Sequence, residues 1–237
     1  KVSIFGNKMD AIAVLPIPSR KWKDEKTRAA LVYDYRDPAR KKDQRKVDER
    51  IHYIWFHYLQ LCLNLEDIKY SVPKRGGRGK IISTTKVKVS KDIYKDWDLE
   101  KVKKSSFREW YDEDKQLLFY EGGFKYSRGS QYHPLVKRFN VFILYHNMMN
   151  DKNFYIKGGE TKGMMVSEKI VEEIEKLGGQ KERYELLDRK DYDAVEKVKG
   201  GTKKKNVRKL SNQKRVLKDV VGCENTILAI CEGRFPK

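Results

Sequence analysis

Between Val47 and Asp67 the apolar and aromatic residues recur at the three-and-four spacing of a helix, at Ile51, Ile54, Trp55, Tyr58, Leu59, Cys62 and Leu65. Tyr53, Phe56, Leu61 and Leu63 cover much of the opposite side, so the pattern predicts a helix apolar nearly all round and buried at the centre of the fold. His52, His57, Gln60 and Asn64 interrupt the stretch and charges flank it, which fits a core helix and not a membrane span.

Other periodicities are shorter. From Ile81 to Val89, Ile82, Thr84, Lys86 and Lys88 alternate with Ile81, Ser83, Thr85, Val87 and Val89, the period of a half-exposed strand. Phe139 to Tyr145 is apolar on both faces and predicts a strand inside a sheet. One helix is expected to start at Trp97 and Leu99, and a second, capped by Ser105 or Ser106, to run through FREWYDEDKQLLF with Phe107, Trp110 and Tyr111 facing a neighbour. Ser167 is expected to cap a helix to Leu177 with Ile170, Val171 and Ile174 inward, and a weaker helix is expected over 184–198. Near the C-terminus Val207, Leu210, Leu217, Val220 and Val221 keep one face of a helix that Gly222 closes. A short second helix, TILAIC, follows, giving the outline of a helix-turn-helix in which the second helix is buried and the first is presented to phosphates.

Together these elements predict an α+β fold with a central buried helix, a small antiparallel sheet and a basic helical C-terminal region. The expected divisions are an extended N-terminal arm over 1–19, where AIAVLPIP is closed by Pro16 and Pro18, an α+β core over 20–199, and the basic region over 200–237, hinged at Gly200 and Gly201. The mixed charges of Arg20 to Arg50 suit a solvated helix surface broken at Asp37-Pro38.

Charge sharpens this picture. Of the 237 residues, 53 are Lys or Arg and 34 Asp or Glu, a formal net charge of +19, which points to a polyanionic partner. The cations fall in tracts. Lys69 to Lys91 has eight basic residues and no acidic one, with Lys74, Arg75, Arg78 and Lys80 interleaved with Gly76, Gly77 and Gly79, and Lys86 and Lys88 on the strand that follows. Long cations beside a glycine loop can follow a phosphate backbone without a steric wall. Gly122 to Asn150 is also free of acid and mixes Phe124, Tyr126 and Tyr132 with Arg128, Lys137 and Arg138, as a platform for exposed bases needs: rings stack while cations hold phosphates. Lys197 to Lys218 has ten basic residues and no acidic one, with Lys203, Lys204, Lys205, Arg208, Lys209, Lys214, Arg215 and Lys218 off the apolar face. That face lacks an aromatic, which disfavours a membrane surface.

Candidate catalytic chemistry is thin. Glu160-Thr161-Lys162 with Asp151 upstream is the one nuclease-like fragment, since metal-dependent hydrolysis needs clustered carboxylates and a nearby lysine. His52, His57, His133 and His146 have no ligand spacing, and the glycines at 76–79 precede a strand and not a helix. Cys62, Cys223 and Cys231 form neither a disulfide framework nor a zinc motif and suit a reducing compartment. The start carries no convincing cleavage site, so a mature intracellular chain is expected. No catalytic residue, metal or cofactor is assigned.

Asp98-Leu99, Ser106-Phe107 with Trp110, and Leu118-Phe119 resemble an Asp-Leu, Ser-Phe-x-x-Trp, Leu-Phe pattern in phage and plasmid proteins of no established activity, which also finish with a basic helix and a tail like Gly233-Arg234-Phe235-Pro236. Asp112, Glu113 and Asp114 stand where that pattern would have a second Trp or a His. The resemblance implies a mobile-element origin, in host cytoplasm or virion. The expected function is non-enzymatic binding of nucleic acid, DNA ahead of RNA, through backbone phosphates and without a membrane partner. Two alternatives stand beside it: a virion or assembly component, such as a ring or connector, whose basic arms meet other copies or virion proteins, and a ribonucleoprotein subunit.

Overall fold

The computed structural model describes residues 41–76, 80–121, 132–156, 161–176 and 201–234, with side chains placed except at 41–50, 113, 116, 120, 121, 132, 133, 175, 176 and 201–210. The expected arm at 1–19, the break at Asp37-Pro38 and the helix at 184–198 lie outside these residues. In chain order the described elements are α1 (Lys41–Asp67), β1 (Ser71–Arg75), β2 (Ile81–Lys86), α2 (Leu99–Lys104), α3 (Phe107–Trp110), α4 (Glu113–Glu121), α5 (Tyr132–Asn150), α6 (Lys162–Lys176) and α7 (Gly201–Cys231). The fold is α+β, mostly helical with one two-stranded antiparallel sheet. Two compact units divide the described residues: one takes the chain up to Tyr132 together with 224–234, the other runs from His133 to Cys223. They cut across the boundary expected at residue 200.

In the first unit α1 is the buried centre that its all-round apolar pattern requires. Ile54, Trp55, Phe56, Tyr58, Leu59, Leu61 and Cys62 are all sealed from solvent. Its polar residues are spent on neighbours. Gln60 Nε2 donates to the Val102 and Ser105 carbonyls, both at 2.8 Å, acceptors that the end of α2 leaves over. Trp55 Nε1 donates to the Tyr94 hydroxyl at 3.0 Å, which donates to the Ile230 carbonyl at 2.6 Å and so ties α1 to the last turns of α7. Burial pushes the Tyr94 hydroxyl well above its ordinary pKa. Trp97 stacks on Trp110 at 5.0 Å between ring centres, and Phe119 meets Trp97 edge-on at 4.8 Å.

The residues of the Asp-Leu, Ser-Phe-x-x-Trp and Leu-Phe pattern serve this packing. Asp98 caps α2, and Ser106 caps α3 in a reciprocal box with Glu109, leaving Phe107 and Trp110 in the core. The single helix expected through FREWYDEDKQLLF is two. Tyr111 is extended after α3, and the Asp112 carboxylate accepts from the Lys115 N–H at 2.8 Å, starting α4. Aspartate favours such a cap because its short side chain satisfies an N–H that the first turn would leave unpaired.

Three further expectations are corrected. Phe139 to Tyr145 is not a strand but the middle of α5, where Phe139 to Leu144 are all buried. A short run apolar on both faces has no periodicity to separate a buried strand from a buried helix; Pro134 in the first turn, where proline is tolerated, was the helical signal. The helix expected to begin at Ser167 begins at Lys162. Thr161 Oγ1 accepts from the Met164 N–H at 3.3 Å, and Ser167, inside the helix, donates back to the Gly163 carbonyl at 2.7 Å. Ile170, Val171 and Ile174 face inward as expected.

The third correction concerns the C-terminal region, which is no helix-turn-helix. α7 runs unbroken through Gly222 to Cys231, and a glycine inside a helix costs only about 1 kcal/mol, which packing on both sides outweighs. Its buried stripe is Asn212, Val216, Asp219, Val220, Cys223, Thr226, Ile227 and Ile230, while the expected Leu217 and Val221 sit half-buried at its flank. TILAIC is largely buried, as expected. Gly233, at φ 65°, follows α7 in the left-handed region that glycine allows.

Candidate nucleic-acid interface

The chain leaves α1 through Lys69 and enters the β1–β2 hairpin. Ser71 pairs with Lys86, Val72 with Thr85, Pro73 with Thr84 and Lys74 with Ser83, and then Arg75 with Ile81, so Ile82 is an extra residue bulged from β2. The Gly76 N–H donates to the Lys80 carbonyl at 2.7 Å, closing the end. A side chain at 76 would collide with Ile82 Cγ2 at 2.9 Å, so glycine is what leaves room there for the bulged isoleucine. Among the described residues the sheet has only these two strands.

The hairpin is held to the fold along β1, from Val72 to Arg75 at its turn end. Val72 is buried beneath it, and Val87 and Val89 are buried just beyond it. Glu224, on α7 with a side chain 1% exposed, pairs with the Arg75 guanidinium and accepts from the Tyr70 hydroxyl at 3.4 Å. Glu66 accepts from the Val89 N–H at 3.1 Å.

Every residue of β2, by contrast, is exposed, which corrects the expected half-exposed strand. β1 keeps Val72 buried while neither face of β2 is covered, and alternation alone cannot reveal whether a second layer covers a strand. Ile81 and Ile82 are 58% and 60% exposed. Lys74, Lys80, Lys86 and Lys88 are exposed around them.

The other expected contacts divide into three groups. Arg75 and Lys137 are held by the protein's own carboxylates, Arg75 by Glu224 and Lys137 by Asp219 at 2.9 Å. Arg138 lies over Gly222 in the second unit, with its Nε 2.8 Å from where a Cβ there would stand. On α7, Lys214 and Lys218 are exposed one turn apart, opposite the stripe of Val216 and Val220, and Arg215 is half-exposed. Arg78, Tyr126 and Arg128 lie outside the described residues. Tyr132 falls on α5, and Lys203, Lys204, Lys205, Arg208 and Lys209 on α7, at positions whose side chains are not described. The hairpin lysines and the α7 lysines belong to different units, so each set is a patch by itself.

The nuclease-like fragment is occupied with local structure. Thr161 caps α6, Lys162 Nζ donates to the Asp151 backbone carbonyl at 2.6 Å, and the Asp151 carboxylate accepts from the Asn153 N–H at 2.8 Å. Glu160 lies outside the described residues. No group of three His, Cys, Asp or Glu among the described residues is set to hold a metal ion. His52 and His57 sit in the first unit's core, where burial lowers their pKa values to about 3 and about 4 and leaves them neutral. His52 Nδ1 is 2.8 Å from the Tyr111 hydroxyl and its ring stacks on Phe119 at 3.8 Å.

Sequence reasoning missed the two exposed isoleucines as candidate contacts, and it missed the carboxylates that claim Arg75 and Lys137. The signal for the first was their place between Lys80 and the hydroxyls of Ser83, Thr84 and Thr85. The second had none, because Glu224 lies far from Arg75 in sequence. No helix among the described residues is long and apolar enough to cross a membrane. No protein-family model, curated protein or solved structure matches the chain.

Proposed function

We propose that this chain is a non-enzymatic nucleic-acid-binding protein of mobile-element origin, which grips backbone phosphates, those of DNA first, through the β1–β2 hairpin and the outer face of α7. One observation carries the reading: the hairpin presents Lys74, Lys80, Lys86 and Lys88 to solvent, in a stretch from Lys69 to Lys91 that contains no carboxylate. Lysines held that way have no fold to stabilise, and a surplus of +19 favours a polyanion over a neutral partner. Ser83, Thr84 and Thr85 add exposed hydroxyls of the kind that bind phosphate oxygens.

The test is the salt dependence of binding to a mixed-sequence duplex. If about ten phosphates are neutralised, the logarithm of the binding constant falls against the logarithm of salt with a slope of roughly −9. Replacing Lys74, Lys80, Lys86 and Lys88 together by alanine lowers that slope by about three to four while leaving the unfolding midpoint in place. A flat salt response sinks the reading.

A further inference from the structure

The two edges of the β1–β2 sheet differ. The Val87 N–H donates to the Tyr70 carbonyl at 3.0 Å, and antiparallel bonding recurs at every second pair, so Val72 with Thr85 and Lys74 with Ser83 exchange the bonds of the ladder. Between them Pro73 stands opposite Thr84, and the backbone groups of such a pair point away from the partner strand. On the β1 edge that outward position is a proline, with no N–H to offer a further strand. On the β2 edge the outward positions are Thr84 and Lys86, which present donors and acceptors along a strand whose six residues are all exposed. No third strand pairs with it among the described residues. Ile81, Ile82, Thr84 and Thr85 are β-branched, the kind of side chain that packs best across a strand pair.

We infer that β2 is a docking edge, which an extended acidic segment of a protein partner joins as a third strand, its backbone bonding to Thr84 and Lys86 and its carboxylates facing the exposed lysines. Strand addition of this kind takes affinity from main-chain bonds and specificity from side chains at alternate positions. Charge selects the occupant. Lys74, Lys80, Lys86 and Lys88 are exposed in a stretch without a carboxylate, so an acidic strand meets opposite charge along the whole seam. A second copy of this chain brings the same acid-free stretch and sets lysine among lysines. The inference goes beyond the nucleic-acid reading above, because a phosphate backbone has no use for Ile81 and Ile82, at 58% and 60% exposure, whereas a neighbouring strand covers them.

The probe is a dye-labelled peptide of about nine residues alternating valine with glutamate, long enough to span β2, titrated with the full chain and read by fluorescence anisotropy. It is expected to bind. The same peptide N-methylated throughout keeps its charges but loses its donors, and is expected to bind at least about tenfold more weakly. Thr84→Pro in the full chain is expected to weaken the unmodified peptide by a similar factor. It removes one outward N–H, as Pro73 does on the facing strand, and leaves every lysine, the bonds of the hairpin and the salt slope of duplex binding in place. If Thr84→Pro lowers the unfolding midpoint, the methylated peptide on the wild-type chain decides. No binding of the acidic peptide, equal binding of the methylated one, or equal binding of a peptide alternating valine with lysine overturns the docking edge. So does dimerisation of the full chain that Thr84→Pro abolishes, which gives the edge to a second copy. A flat salt response to duplex with peptide binding retained sinks the phosphate reading alone.

Discussion

Arg75 is a cation committed to the fold. Its guanidinium meets Glu224, whose side chain is 1% exposed, and truncating one member of such a pair strands the other charge in a place water hardly reaches. Arg75→Ala is therefore expected to lower unfolding free energy by about 3 kcal/mol in a urea titration while leaving the salt slope of duplex binding unchanged. A lost salt slope with intact stability would return Arg75 to the phosphate contacts. The buried histidines set a pH limit. His52 and His57 have folded pKa values of about 3 and about 4 against 6.5 when exposed, so between those limits the unfolded chain binds more protons than the folded one. Stability is full above pH 6.5 and falls below it, by about 1.4 kcal/mol per pH unit for each histidine down to about pH 4. His52→Gln is expected to remove about half of that slope, read from urea unfolding at pH 7 and pH 5.

At the scale of elements, α7 divides the two ways of reading the C-terminus. Gly222 at the end of one helix in a helix-turn-helix would stand close to where proline is welcome, whereas Gly222 in mid-helix donates to the ladder and sits under Arg138. Gly222→Pro is expected to cost about 3 kcal/mol or more and to reduce far-ultraviolet helicity, and an unchanged midpoint would restore the turn. The same contrast separates α1 from α5. The α1 stretch, apolar at helical spacing over many turns, has only one solution. Phe139 to Tyr145 has two, and what decided for the helix was its continuation from Tyr132 to Asn150 among buried neighbours, not its own pattern. The hairpin was legible as a strand after a glycine loop, but the full exposure of β2 was not, because alternation says which residues share a face and nothing about what covers it.

Among the described residues the cations sort into those that hold the protein together and those presented to solvent. Arg75, Lys103 and Lys137 are paired with Glu224, Asp67 and Asp219, whereas Lys214 and Lys218 are exposed on a helix face of their own. If that face also meets phosphates, Lys214→Ala/Lys218→Ala lowers the salt slope by about two, additively with the hairpin variant because the two sets lie in separate units. A slope that does not move would confine the proposed contact to the hairpin. The amino-acid order by itself determined the buried central helix, a serine cap at 105 or 106, the basic glycine loop and the acid-free tracts, because each follows from residue type and spacing within a few positions. Only the tertiary structure decided which cations remain exposed, whether Gly222 turns the chain, and that two isoleucines stand in water. Those outcomes depend on partners such as Glu224 and Arg138, which lie far off along the chain and are brought close only by packing.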